Sequence, residues 1–126
     1  MEFSVGGASP IEFLALEPTV PVTLAGRPVR LLAATLCVHT LHPAATLQAV
    51  FIGHYRSPPS NGIGGSAQVT QFSDLTSRKE SACRRYVPQE PFVLLPNDYV
   101  NVRLRFAFTG AASIYVGASS FELAPA

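Results

Sequence analysis

Eleven prolines and nine glycines are scattered along this chain of 126 residues, and few windows of helical length escape them. A proline inside a helix removes a backbone hydrogen bond and clashes with the preceding turn, and a glycine there carries an entropic cost. Between the interruptions the pattern is that of strands. Residues 99–108 are the clearest case: Val100, Val102, Leu104, Phe106 and Phe108 fall on one side, with Asn101, Arg103 and Arg105 on the other. Period-two alternation of this kind makes a strand that packs on one face and meets water or a partner on the other.

Residues 29–41 are apolar at both parities, and flanking Pro28 and Pro43 argue for a central strand covered on both sides rather than a helix. Residues 47–55 read the same way, and the short stretch 41–46 is expected to join the two as an antiparallel pair. Further strands are expected at 11–17, 20–24, 68–72, 92–95, 113–116 and 120–123. Pro18 and Pro21 place the 20–24 strand near a sheet edge. Ala25-Gly26-Arg27-Pro28 and Thr109-Gly110-Ala111-Ala112 read as turns, the second closing a C-terminal hairpin. Two long loops remain, at 57–66 and 73–81, the latter being the most charged stretch. The fold class expected is all-β: one antiparallel β-sandwich domain over 1–126, with about eight short strands and an extended N-terminal segment over about residues 1–10.

Such a chain is long enough to bury a real core without cross-links. Hydrophobic residues make up 48% of it and charged residues only 13%, about half the usual share of ~25%. So few charges poorly cover a free monomer, which points to surface buried against other subunits. A net charge of +1 gives no global field for nucleic acid. The first residues show no basic segment followed by an apolar run, and no stretch approaches ~18 uninterrupted apolar residues. A soluble chain is therefore expected, with no membrane contact. Cys37 and Cys83 are too few for a disulfide framework; with no export signal visible, two free thiols are expected over a single bridge.

Chemistry-bearing residues do not assemble into a recognisable motif. Cys37 and His39 share a strand face, but a zinc site needs three or four ligands and neither His42 nor His54 is indicated as a third. No Gly-x-Ser-x-Gly elbow is present, and Asp74 and Asp98 both fall in expected loops or turns. Arg84 and Arg85 beside Cys83 are weak evidence for a reactive thiol. The glycine-rich run 61–66 is followed by no lysine and opens no helix, so it lacks what cradles a phosphate. No enzyme activity, cofactor or metal is expected. If an enzyme were present, it would need His39, His54 or Cys83 in a pocket beside a carboxylate.

Two groups of residues are candidate partner contacts. Arg78, Lys79, Arg84 and Arg85 form the one basic cluster, with Tyr86 adjacent; Asp74, Glu80 and Glu90 partly cancel it. Inter-subunit salt bridges or a solvated face are expected there rather than nucleic acid. Asn101, Arg103 and Arg105 make the polar side of the alternating strand.

The C-terminal third also resembles known folds. Phe92-Val93-Leu94-Leu95-Pro96-Asn97-Asp98-Tyr99 looks like the entry to a late jelly-roll strand, followed by Ser113-Ile114-Tyr115-Val116 and Ser120-Phe121-Glu122-Leu123 as closing strands. This order resembles the tumour-necrosis-factor-like and complement-globular-head jelly rolls, and equally small jelly-roll proteins that decorate or cement viral and bacteriophage capsids. It departs from the complement-head pattern at Leu123, where a glycine is usual, and in lacking tryptophan. What the resemblance implies is a jelly-roll-like architecture and a tendency to oligomerise. The expectation is a non-enzymatic virion structural protein, a decoration, cement or minor capsid component, located in the virion and touching capsid protein or copies of itself. The alternative is a receptor- or glycan-binding head whose site lies in loops 57–66 and 73–81.

Overall fold

A computed structural model describes residues 1–57 and 67–126. Ten strands follow one another: β1 (Glu2–Val5), β2 (Ser9–Leu16), β3 (Thr23–Leu24), β4 (Arg27–His39), β5 (Ala45–Arg56), β6 (Ala67–Asp74), β7 (Ser81–Tyr86), β8 (Phe92–Leu94), β9 (Asp98–Phe108) and β10 (Ala112–Pro125). All pairings are antiparallel. The first sheet runs β1-β10-β4, with β7, β8 and β3 sharing the far side of β4; the second runs β2-β9-β5-β6.

The pairing is nested. β1 pairs with β10, β2 with β9, β4 with β7 and β5 with β6. That is one long hairpin whose middle is β5–β6, wrapped so that successive pairs alternate between two sheets. The seams β10·β4 and β9·β5 then close each sheet. This is the eight-strand jelly roll, and β3 and β8 are short additions along β4.

The alternating strand is as the sequence suggests. Burial along β9 alternates without a break, with Asp98 and the apolar residues through Phe108 inside and Asn101, Arg103 and Arg105 half-buried outside. Val100, Val102, Leu104 and Phe106 meet Leu31, Leu36, Leu94 and Ile114 of the opposite sheet in one core. Each such side chain contributes roughly 1.5–3 kcal/mol. Ala25 (φ 53°) and Gly26 (φ 73°) make a two-residue left-handed turn between β3 and β4, the geometry that matches strand twist.

Several expectations are corrected. β4 and β5 do not pair: the connection 40–44 carries the chain from one sheet to the other, and a link this short serves either purpose. The stretch 109–111 crosses between sheets in the same way, from β9 to β10, so no C-terminal hairpin forms. The two closing strands are one, β10, with a register break between Val116 and Ser119. β4 is central within its sheet, but the described residues put no third layer over it. A register break opposite Glu122/Leu123 skips Leu32, so Leu31 and Ala34 both face the core and the apolar run spans both parities.

Within the N-terminal segment β1 pairs with β10, and the Met1 amino group donates to the Val116 carbonyl at 2.8 Å. The loop expected at 73–81 shrinks to 75–80, held by a two-way backbone bridge between Arg78 and Leu47. Cys37 and Cys83 are bridged, not free. The cause is register: they are direct cross-strand partners on β4 and β7, on the outer face of the sheet.

Candidate functional site

The seven candidate contact residues do not form one surface. Arg84 and Arg85 stand on β7 and Arg78 and Lys79 in the connection before it, at the edge of the first sheet; Asn101, Arg103 and Arg105 lie on the outer face of the second sheet.

The three arginines of the basic cluster have acid partners within the chain. Arg78 pairs with Asp74 at 3.3 Å. Lys79 donates to the Pro43 carbonyl at 2.7 Å. Arg84 pairs with Glu80, and Arg85 holds Glu122 through two hydrogen bonds of 2.6 and 3.0 Å. The Arg85 hydrogen bonds lower the Glu122 carboxyl below its ordinary range, and Glu122 in turn raises the guanidinium. Glu122 comes from β10, across β4 from β7, so the partner is invisible to a reading of local charge. These pairs lie within one chain; the sequence suggested either pairs between subunits or a solvated face. The same face carries the disulfide, a Ser4–Ser113 hydrogen bond of 2.7 Å and a His39–Ser81 hydrogen bond.

The outer face of β2-β9-β5-β6 is different. Register sets Arg103 between Ala15 of β2 and Phe51 of β5, and Arg105 between Phe13 and Ala49. Large and small residues alternate on both flanks, and the small ones make room for the guanidinium stems. The Arg103 Cζ lies 5.7 Å from the Phe13 ring centroid and 5.2 Å from that of Phe51; Arg105 Cζ lies 5.9 Å from Phe51. Such contacts orient a guanidinium and leave its donor edge outward. No Asp or Glu occupies a register position of this face, and among the described residues neither arginine has an acid partner. The Arg105 Nε–H is buried with no acceptor.

Toward the β9 start the face continues in Tyr55 and Tyr99, cross-strand partners with stacked rings 5.4 Å apart. A Cβ at Gly53 would overlap the Tyr55 ring, so glycine there lets the ring lie back on the sheet. Phe13, at 49% exposure, is the most open ring. The sequence named Asn101, Arg103 and Arg105 but missed Phe13, Phe51, Tyr55 and Tyr99. The alternation Phe13/Ala15 and Ala49/Phe51 was the available signal, unusable without the register.

Beneath this face lies a buried polar cluster. Leu95-Pro96-Asn97-Asp98 forms a turn closed by an Asp98 N–H to Leu95 carbonyl bond of 3.0 Å, with Asn97 at φ 72°, a type II geometry with proline at its second position. It points Asp98 inward. One carboxylate oxygen accepts from His54 Nε2 at 2.8 Å, the Leu95 amide at 2.9 Å and Arg56 Nη2 at 3.0 Å; the other accepts from Arg56 Nε at 2.8 Å. Burial pushes the Asp98 carboxyl up, but Arg56, the Leu95 amide and His54 outweigh it and hold it far below the usual carboxylate range. His54, packed on Phe92, is only 2% exposed. So a histidine does stand beside a carboxylate; its ring is almost fully buried at the floor of a cavity that Glu90 and Phe92 also line, and Asp98 is saturated by structural donors. This arrangement ties β5, β9 and the turn before β9 together.

Cys83 is consumed in the disulfide, and His39 bonds Ser81 on the outer face. Among the described residues no three His, Cys, Asp or Glu side chains converge as metal ligands, and no helix is long and apolar enough to cross a membrane. Of the loops considered for a glycan site, 73–81 is divided among β6, β7 and the short connection, and residues 58–66 lie outside those described. No family model, curated protein or solved structure matches this chain.

Proposed function

We propose that this jelly roll is a non-catalytic structural protein that works through protein–protein contacts, as a decoration, cement or minor capsid component of a virus particle does, and that the outer face of β2-β9-β5-β6 is its contact surface. The observation that carries this is the pair Arg103 and Arg105, laid on Phe13 and Phe51 and lacking any carboxylate partner among the described residues. Arginine and aromatic residues are the types enriched at interface centres. An oriented guanidinium binds a partner carboxylate through two parallel hydrogen bonds. The low charged fraction of 13% is in keeping with surface that is covered in use. Phe51 carries both guanidiniums and Tyr55 and Tyr99 stack on each other, which favours a protein partner over stacked bases.

The test is co-sedimentation of the purified chain with assembled particles. Wild type is expected to pellet with them, and the double variant Arg103→Glu with Arg105→Glu to remain in the supernatant while melting near the wild-type temperature. A chain that stays monomeric at high concentration and pellets with no particle sinks the reading.

A further inference from the structure

The sandwich has sheet edges as well as faces, and they are not equally protected. β2, at one edge of the second sheet, carries Pro10, Glu12 and a register break between Ser9 and Glu12. β1, at one edge of the first sheet, is four residues long and begins with Glu2. The opposite edge of that sheet is broken into β7, β8 and β3. Charges, prolines, bulges and short strands are the devices that keep an edge from pairing with foreign chains. β6 has almost none of them. It runs eight residues, AQVTQFSD, with no proline and no charge before Asp74, and its one register break, at Val69, leaves Thr70–Ser73 regular. Among the described residues it pairs only with β5.

A groove runs along this open edge. Thr70, Phe72, Gln71 and Ser73 line a cavity of about 450 Å³ opposite Val87 and Glu90 of the β7–β8 connection. Both inward- and outward-facing β6 residues line it, so it follows the edge of the strand and not one face. A second cavity of about 360 Å³ continues it past Val69 and Thr70, sharing Glu90 and Phe92. Val87 and Val93 are exposed at its rim. Glu90 has no ion-pair partner among the described residues, and residues 58–66 contain no Lys, Arg or His.

We propose that this edge binds an extended peptide segment of a partner protein, added to β6 as a further strand. Main-chain hydrogen bonds to β6 supply affinity; the cavity beside Val69, Phe92 and Val93 takes an apolar side chain, the one beside Gln71, Ser73 and Gln89 a polar one, and Glu90, which borders both, selects a lysine or arginine. A second copy fits less well, since two-fold pairing of β6 with β6 would bring two unpaired Glu90 carboxylates to one seam. This site is separate from the arginine–aromatic face and does not depend on it.

The probe is a display library of random linear peptides selected against the intact chain, the strongest binder then being synthesised and titrated by fluorescence anisotropy. The expected binder is extended and carries an apolar residue, a polar residue and a cation. Glu90→Lys should weaken it at least tenfold, Gln71→Pro should abolish binding, and Arg103→Glu should leave it unchanged. Amide hydrogen exchange should show new protection at Thr70–Ser73. Glu90→Lys alters only an exposed side chain, so it remains decisive even if Gln71→Pro fails to fold. The proposal is overturned if no peptide is selected above background, if Glu90→Lys leaves binding intact, or if protection falls elsewhere. It is also overturned if wild type is a dimer that Gln71→Pro dissociates, which would give the edge to a second copy.

Discussion

Arginine stands on both outer faces of the sandwich, and its neighbours decide what it does. On the first sheet Arg85 reaches across the β4 strand to Glu122, Ser4 bonds Ser113, and Cys37 is bridged to Cys83. On the second sheet Arg103 and Arg105 rest on Phe13 and Phe51 with no acid within the face. On the first face Arg85 has its acid and Arg30, between Ala124 and Val93, has none among the described residues; on the second neither arginine has one. Each sheet also has its own tie: a disulfide between β4 and β7 on the outer face of one, and the buried Asp98 cluster between β5 and β9 in the other. The lesson is that residue type alone does not mark a contact surface. What marks it is whether the register has already supplied the partner.

The largest effect is expected at Asp98. Its side chain is fully buried, and Asp98→Ala leaves His54 and Arg56 facing an empty place, at a cost of about 3 kcal/mol; chemical denaturation measures it. The pH dependence has a definite sign. The folded carboxyl is held below its ordinary value of 3.8, so the unfolded chain binds the proton more readily. The contribution is complete above about pH 4 and is lost as pH falls below it toward the folded value. Asp98→Asn should therefore flatten the acid limb of the stability curve; an acid limb as steep as wild type contradicts the assignment.

Next is the disulfide on the first sheet. Cys37→Ser with Cys83→Ser opens a loop with a sequence separation of 46, and about 2–4 kcal/mol of stability should go with it. Partner binding by the other face should be unaffected at temperatures where the variant is folded. If binding falls in step with the disulfide, the two faces are not independent.

Arg103→Ala and Arg105→Ala should each cost about 2 kcal/mol of partner binding, roughly 30-fold, and less than about 1 kcal/mol of folding stability. Phe51→Ala should lose binding as the arginines do, because Phe51 carries both guanidiniums. The smallest effect is expected from Arg85→Ala, which removes an exposed pair. Neither melting temperature nor partner binding should change measurably, and a strong loss of binding would erase the distinction between the faces.

Much of this architecture is legible in the sequence. The alternation from Tyr99 to Phe108 reads directly, because each residue's environment is set by parity alone. The strand class follows from proline and glycine spacing. What the sequence hides is pairing. Whether residues 40–44 turn back or cross to another sheet depends on the core, not on their own composition. The break at Gly117-Ala118 reads as an end between two strands although β4 holds both sides of it in one. The thiols look free because nothing local says that β4 will lie beside β7. The site was half visible for the same reason: Arg103 and Arg105 follow from one strand's alternation, while Phe13 and Phe51 join them only through β2 and β5.

The proposed contact surface, the outer face of β2-β9-β5-β6, should be covered in the working assembly. Hydroxyl-radical footprinting of the purified chain and of the chain in its native assembly compares the two directly. Phe13, Phe51, Tyr55 and Tyr99 should be oxidised in the free chain and protected in the assembly, with Tyr115 on the other face equally reactive in both. Protection of Tyr115 with Phe13 and Phe51 left open, or no protection at all, would contradict the account.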